Sequence, residues 1–230
     1  MIEIRNINKS FGNVHVLNDV SLSIPSGEIT AIVGPSGAGK TTLLQIAGSL
    51  EKPDTGNVEF DGVDIGRLRE RKLASFRNKN IGFIFQFHEL LPEFTARENV
   101  ALPAMIGGTN RRKALAKADA LLSMLGLGDR LRHKPGELSG GERQRTAIAR
   151  ALINDPKVIM ADEPTGSLDS HNREEIQNLI SMLCREKGHT FLMVTHDSSL
   201  ASIAHRVVTM RDGRIDKIEE TTFAQSENFD

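Results

Sequence analysis

Apolar and polar positions alternate with a period of two near the start of the chain, in IEIRNI (residues 2–7) and again in HVLNDVSLSI (15–24), and the turn PSGE (25–28) follows. That period puts one side of each segment in a core and predicts two half-buried strands. ITAIVG (29–34) is instead an unbroken apolar run ending in glycine, and KTTLLQIAGSL (40–50) after it carries a helical pattern. Strand, glycine loop and helix make one half of a parallel βα unit. TGNVEFDG (55–62) predicts a small hairpin and IGFIFQ (81–86) another strand. From Glu98 to Ala151 the pattern turns helical; in RRKALAKADALLSML, Leu115, Ala118, Leu122 and Leu125 fall on one stripe. KVIMADEP (157–164) returns to a buried strand, and SHNREEIQNLISMLCREKG (170–188) to a helix with Ile176, Leu179, Ile180 and Leu183 turned inward. TFLMVTH (190–196) predicts a strand, and HRVVTMRDGRI (205–215) a hairpin about Asp212–Gly213. The last ten residues are polar and predict a frayed end.

These elements predict a single α/β domain over residues 1–230: core segments 1–87 and 152–220, a helical subdomain over 88–151, and a flexible tail at 221–230. A chain of 230 residues is long enough for one large core with a subdomain. The net charge of −1 lacks the basic surplus of a protein that holds nucleic acid through its phosphates, so no nucleic-acid partner is expected. The one cysteine, Cys184, permits no intrachain disulfide and points to a reducing compartment. The longest stretch free of Asp, Glu, Lys and Arg is the 12 residues Asn99–Asn110, too short to span a bilayer. MIEIRNINKS has no apolar centre and does not read as a signal peptide. A cytosolic chain is expected, and any membrane crossing would fall to another chain.

Two stretches carry phosphate chemistry. GPSGAGKTT, Gly34 to Thr42, satisfies G-x-x-x-x-G-K-[ST]. Small residues at Gly34, Ser36, Gly37, Ala38 and Gly39 let backbone N–H groups close around phosphates, and the helix that follows directs its positive end at them. Lys40 adds a full charge, and the Thr41 hydroxyl suits Mg²⁺. In VIMADEP, Asp162 is placed to hold Mg²⁺ through a water beside Thr41. Glu163, on the other side of the strand by alternation, is free to orient or deprotonate an attacking water. LSGGERQR, Leu138 to Arg145, is a glycine pair opening a second helix, again a shape suited to an anion. Read singly, His196 is a histidine ending a strand and Gln86 a polar strand end.

Together these stretches resemble the ATP-binding subunits of ABC transporters over nearly the whole chain. The resemblance implies the P-loop NTPase fold of ABC ATPases: a mixed, largely parallel sheet core, an N-terminal antiparallel β subdomain and an inserted α-helical subdomain. It makes Gly34, Pro35, Ser36, Gly37, Ala38, Gly39, Lys40, Thr41 and Thr42 the ATP-binding loop, Gln86 the Q-loop glutamine on the metal beside Thr41 and Asp162, and Glu163 the hydrolytic glutamate. Leu138, Ser139, Gly140, Gly141 and Glu142 become the signature that contacts ATP held by a second copy, Ser167, Leu168 and Asp169 the D-loop, and His196 the switch histidine. The implied catalytic set is Lys40, Gln86, Glu163 and His196, working on ATP with Mg²⁺ between two head-to-tail copies. The family stacks adenine on a tyrosine; with no Tyr or Trp in this chain, Phe11 takes that place and keeps the π face.

FIFQFHELLPEFTARENVALPAMIGG (83–108) and DEPTGSLD (162–169) resemble the subgroup of lipoprotein-releasing, macrolide-exporting and division-associated ATPases, nearest to the first. Ser167 stands where that subgroup commonly has asparagine. The implied partners are two integral-membrane permease subunits (LolC/LolE-like), with the chain peripheral on the cytoplasmic face of the bacterial inner membrane. Thr95 and Glu98 predict a capping box, and Phe87, His88, Leu90, Leu91 and Phe94 an exposed docking patch. The alternatives within the family are macrolide efflux and a regulatory module like the division ATPase FtsE. A DNA-repair or translation ATPase would carry a long coiled coil or two cassettes. A kinase or GTPase would leave LSGGERQR unexplained.

Overall fold

The computed structural model describes residues 1–221. Of the tail expected at 221–230, only Thr221 lies within them; its N–H donates to the His205 carbonyl at 2.8 Å. In chain order the elements are β1 (Ile2–Phe11), β2 (Val14–Ile24), β3 (Ile29–Val33), α1 (Lys40–Ala47), β4 (Thr55–Phe60), β5 (Val63–Asp64), α2 (Glu70–Asn80) and β6 (Ile81–Ile84). Then come α3 (Ala96–Ile106), α4 (Arg111–Met124), α5 (Gly140–Leu152), β7 (Val158–Asp162), α6 (Ser170–Lys187), β8 (Thr190–Val194), α7 (Ser198–Ser202), β9 (Arg206–Arg211) and β10 (Arg214–Glu220).

The strands form two sheets: a four-stranded antiparallel one, ordered β2-β1-β4-β5, and a six-stranded one, ordered β10-β9-β3-β8-β7-β6. In the second sheet only β10 runs antiparallel, to β9. In β1, Ile2 and Ile4 are buried and so is Ile7, an odd step that strict alternation forbids. A register shift between Ile4 and Ile7, with Asn6 at φ 50°, is the bulge that returns Ile7 to the core.

Alternation along the central strands divides the interior in two. Ile29, Ala31, Ile159, Ala161, Phe191 and Met193 pack into a core with α3–α6. Their neighbours Ile32, Val158, Met160, Leu192 and Val194 face the opposite way, against α1 and the antiparallel sheet. Strands buried on both faces read as continuous apolar runs, and so they do here. Helices α3 to α5 enter the chain between β6 and β7. Leu122, Ala118 and Leu125 are buried as their stripe predicts, with Leu115 partly buried beside them. In α6, Ile176, Ile180 and Leu183 are buried while Leu179 is only partly so.

Candidate active site

The loop from β3 to α1 is shaped by glycines at positions where a side chain does not fit. Gly34 has φ 145°, and a Cβ there would sit 2.2 Å from the Met210 carbonyl oxygen of β9. Gly39 has φ 92°, and its Cβ would sit 2.6 Å from the Val16 carbonyl oxygen of β2. The loop thus threads between two strands and delivers α1 with no side chain capping its first N–H groups. Lys40 curls over the loop and donates to the Gly34 and Pro35 carbonyls, both at 2.9 Å. A pocket forms around this turn, lined by Val14 and Val16, by Gly34 and residues 36–42, and by Glu163, Val194 and His196. Unpaired N–H groups, a helix dipole and a lysine converge on it, the combination that holds phosphate.

The far wall is built by two adjacent strand ends. Thr41 Oγ1 donates to Asp162 Oδ1 at 3.2 Å. Burial pushes the Asp162 carboxyl above its ordinary range and Glu163 adds to this, while the Thr41 hydrogen bond and Lys40 pull it back. A hydroxyl and a desolvated carboxylate at hydrogen-bond distance are hard oxygens of the kind Mg²⁺ takes along with substrate phosphates. Among the described residues no group of three or more His, Cys, Asp and Glu side chains is gathered for a metal, so such a cation would draw the rest of its ligands from elsewhere.

Glu163 departs from the strand alternation expected for it. β7 ends at Asp162, and Glu163 adopts a left-handed backbone at φ 47°. The turn, not the pleat, aims its carboxylate, and for a residue with a long side chain it costs conformational energy. Its N–H donates to the Val194 carbonyl at 2.9 Å, and its Oε1 lies 2.8 Å from His196 Nδ1. The His196 backbone N–H also points at Oε2, at 3.4 Å. Glu163 and His196 therefore form a pair at the mouth of the phosphate pocket.

The remaining predicted residues sit away from that pocket. The Gln86 side-chain nitrogen lies 3.1 Å from where Gly166 would carry a Cβ, and Ser167 donates to its carbonyl at 3.3 Å, so Gln86 packs on the loop after Glu163. Ser139 caps α5: its Oγ accepts from Glu142 N at 3.2 Å, and the Glu142 carboxylate accepts from Ser139 N at 2.8 Å. Glu142 is further held by Arg130 Nε at 2.8 Å. Leu138 is buried, and a Cβ on Gly140 would meet Leu168, itself buried. Asp169 caps α6 by accepting from Asn172 N at 2.9 Å. No residue of 138–142 or 167–169 lines the phosphate pocket of its own chain. Phe11 ends β1, 48% exposed, opposite Val14 of the pocket wall.

The sequence profile of the ABC transporter family matches residues 17–166. The chain belongs to that family. Two relatives named lipoprotein-releasing system ATP-binding protein LolD bear it out. One, from Bacteroides thetaiotaomicron, is 57% identical over 94% of this chain and 100% of its own length. The other, from Porphyromonas gingivalis, is 59% identical over 93% of this chain and 97% of its own. Among solved structures, the dimeric bacterial ABC transporter cassette MJ0796 matches with a TM-score of 0.89 at 40% identity, covering 96% of this chain and 98% of that one. The same cassette as a post-hydrolysis dimer bound to ADP and Pi matches with a TM-score of 0.88 at 39% identity, with the same coverage. The expected fold is thereby established, and the chain is an ABC ATPase.

Some supporting residues of this ABC ATPase are not evident from its motifs. Asn172 closes on the signature: a Cβ at Gly141 would lie 1.9 Å from its Oδ1, which explains the second glycine of the pair. Asn99, one residue past the capping box, spends its whole amide on the loop before α3. It accepts from Leu91 N at 2.7 Å and donates to the Leu91, Phe94 and Thr95 carbonyls, each at 3.1 Å. The Thr95–Glu98 capping box is present as expected. Phe87, Leu91 and Phe94 are exposed there and Leu90 half-buried. His88 is not part of that patch. It is buried, which with the neighbouring Arg143 pushes its pKa down. His88 and Glu89 both have left-handed backbones, at φ 65° and 48°. Arg150 of α5 donates to both their carbonyls, at 2.7 Å to His88 and at short range to Glu89. An arginine in a helix gives no sequence signal that it serves a loop more than sixty positions away; an asparagine just inside a cap, as at Asn99, gives a weak one.

Proposed function

We propose that this ABC ATPase powers a lipoprotein-releasing transporter at the cytoplasmic face of the bacterial inner membrane, working as two copies beneath two permease subunits of the LolC/LolE kind. One observation carries the two-copy part. The phosphate pocket is lined by the P-loop, Glu163 and His196 of the chain and by none of its signature residues. A second chain, turned head to tail, supplies Ser139, Gly140 and Gly141 to complete it. The cargo assignment is supported by relatives 57% and 59% identical over almost their full length.

Within each pocket the loop N–H groups, the N-terminus of α1 and Lys40 bind the β- and γ-phosphates and neutralise charge as it develops on the phosphoryl oxygens. Thr41 and Asp162 would hold Mg²⁺ with the nucleotide, where it would supply Lewis-acid stabilisation of the same charge. Glu163 accepts the proton of the attacking water as its oxygen bonds to the γ-phosphorus and the bond to the ADP oxygen breaks. His196, whose Nδ1 lies 2.8 Å from Glu163 Oε1, holds that carboxylate in place at the mouth of the pocket, beside the γ-phosphate. Gln86, packed on the loop after Glu163, reports the state of the pocket to the permeases. Phe11 stacks the adenine. The exposed Phe87, Leu91 and Phe94 receive a coupling element of the permease.

Glu163→Gln keeps the geometry and removes the base. Turnover is expected to fall about 10²- to 10⁴-fold with ATP binding retained, and gel filtration in ATP should show a stable dimer. A monomer at saturating ATP would sink the two-copy reading. For docking, Leu91→Asp with Phe94→Asp should abolish co-purification with the permeases; unchanged recovery would remove the patch from the interface.

A further inference from the structure

We propose that Lys9 is a positioning residue that fixes and polarises the Phe11 ring for purine stacking. The proposal rests on the reading of Phe11 as the adenine platform and goes on to the element that makes a bare phenyl ring serve. Lys9 and Phe11 are two residues apart on β1 and so share a face of the strand. Lys9 is 9% exposed, and its ammonium lies 5.0 Å from the Phe11 ring centroid. The ammonium is pinned from the other side, donating to Glu51 at 2.6 Å and to the Lys52 carbonyl at 2.7 Å, with Asp54 at 3.5 Å. Asp54 grips the same strand: its carboxylate accepts from Ser10 N at 2.7 Å and its N–H donates to the Asn8 carbonyl at 2.9 Å.

The lysine is therefore held where it is whether or not the ring is there, and the ring rests on it. A fixed cation against one side of an aromatic ring draws π density toward itself. The other side then repels the electron-rich face of a stacked purine less. Phe11 has no hydroxyl to tie it down, and the ion-paired lysine replaces that tether. A smaller, less electron-rich pyrimidine gains less from the arrangement, so Lys9 also biases the pocket toward purines.

The test measures ADP and CDP affinity by calorimetry on the whole chain, with Lys9→Met and Phe11→Ala made singly and together; diphosphates avoid both turnover and ATP-driven pairing. Lys9→Met should weaken ADP binding about fivefold and CDP binding less, with no further loss once Phe11 is alanine. Lys9→Arg, which keeps the cation and the ion pairs, should stay within about twofold and controls for folding. An equal loss from Lys9→Met with and without the Phe11 ring, or no loss at all, would overturn the role of the lysine while leaving Phe11 in place. Unchanged ADP affinity in Phe11→Ala would instead bring down the platform, and this proposal with it.

Discussion

Helices α1 and α5 both begin at a glycine-rich turn, and their first turns are finished in opposite ways. α1 starts after Gly39 with no side-chain cap and no acidic residue in its first turn. α5 starts after Ser139 with a complete capping box, and Glu142 is tied to Arg130 as well. The first helix leaves its orphan N–H groups to whatever anion arrives; the second has the Ser139 and Glu142 N–H groups satisfied by its capping box and carries a carboxylate in its first turn. A nucleotide site built on α1 can bind in one chain alone. On the proposed two-copy reading, a contact built on α5 forms only when the phosphates are already held elsewhere, which gives binding to the first helix and closure to the second.

The sharpest way to break this contrast is Gly39→Ala. With φ 92° and a carbonyl 2.6 Å from the new Cβ, the turn must shift, and ADP affinity should drop at least about 100-fold while far-UV circular dichroism is retained. Near-normal affinity would mean that α1 is not the binding helix. Ser139→Ala should act on the other side of the comparison, lowering ATP turnover about 10- to 100-fold with single-chain ADP affinity within about twofold. It should also cost about 1 kcal/mol of stability for the lost cap, and a parallel fall in ADP affinity would erase the distinction.

The smallest effect is expected at Glu142. The Ser139 N–H and Arg130 outweigh burial and hold its carboxyl below the ordinary range. A group depressed in the folded state adds stability above its unfolded value, about 4.3, and loses it as pH falls through the lower folded value. Glu142→Gln keeps the capping geometry, so its melting temperature at pH 7 should sit only slightly below that of the parent. The gap should narrow further in acid, as the parent alone sheds the carboxylate contribution.

The same contrast marks what the sequence could disclose. Strands buried on both faces, such as β7 and β8, announce themselves as apolar runs, and the P-loop is local, so both were legible. Helix α2 was missed because Leu73 is its one buried residue, which leaves no stripe to detect. Strand alternation does not account for the aim of Glu163, because a left-handed residue one step past a strand follows no period. His88 lies among apolar neighbours in sequence yet is buried while they are not. Its backbone is held by Arg150, a partner that only the folded chain brings near.

That arginine has a mechanical consequence. It joins the strained pair His88–Glu89, beside the exposed Phe87 and Leu91, to a point near the far end of α5, about 16 Å along the axis from Ser139 at 1.5 Å per residue. Tilting so stiff a rod by about 10° from its gripped end swings the serine by about 3 Å, the length of one hydrogen bond. If the serine contacts phosphate in a second copy as proposed, a push on the surface loop needs no large rearrangement to decide whether its hydroxyl reaches that phosphate or falls short.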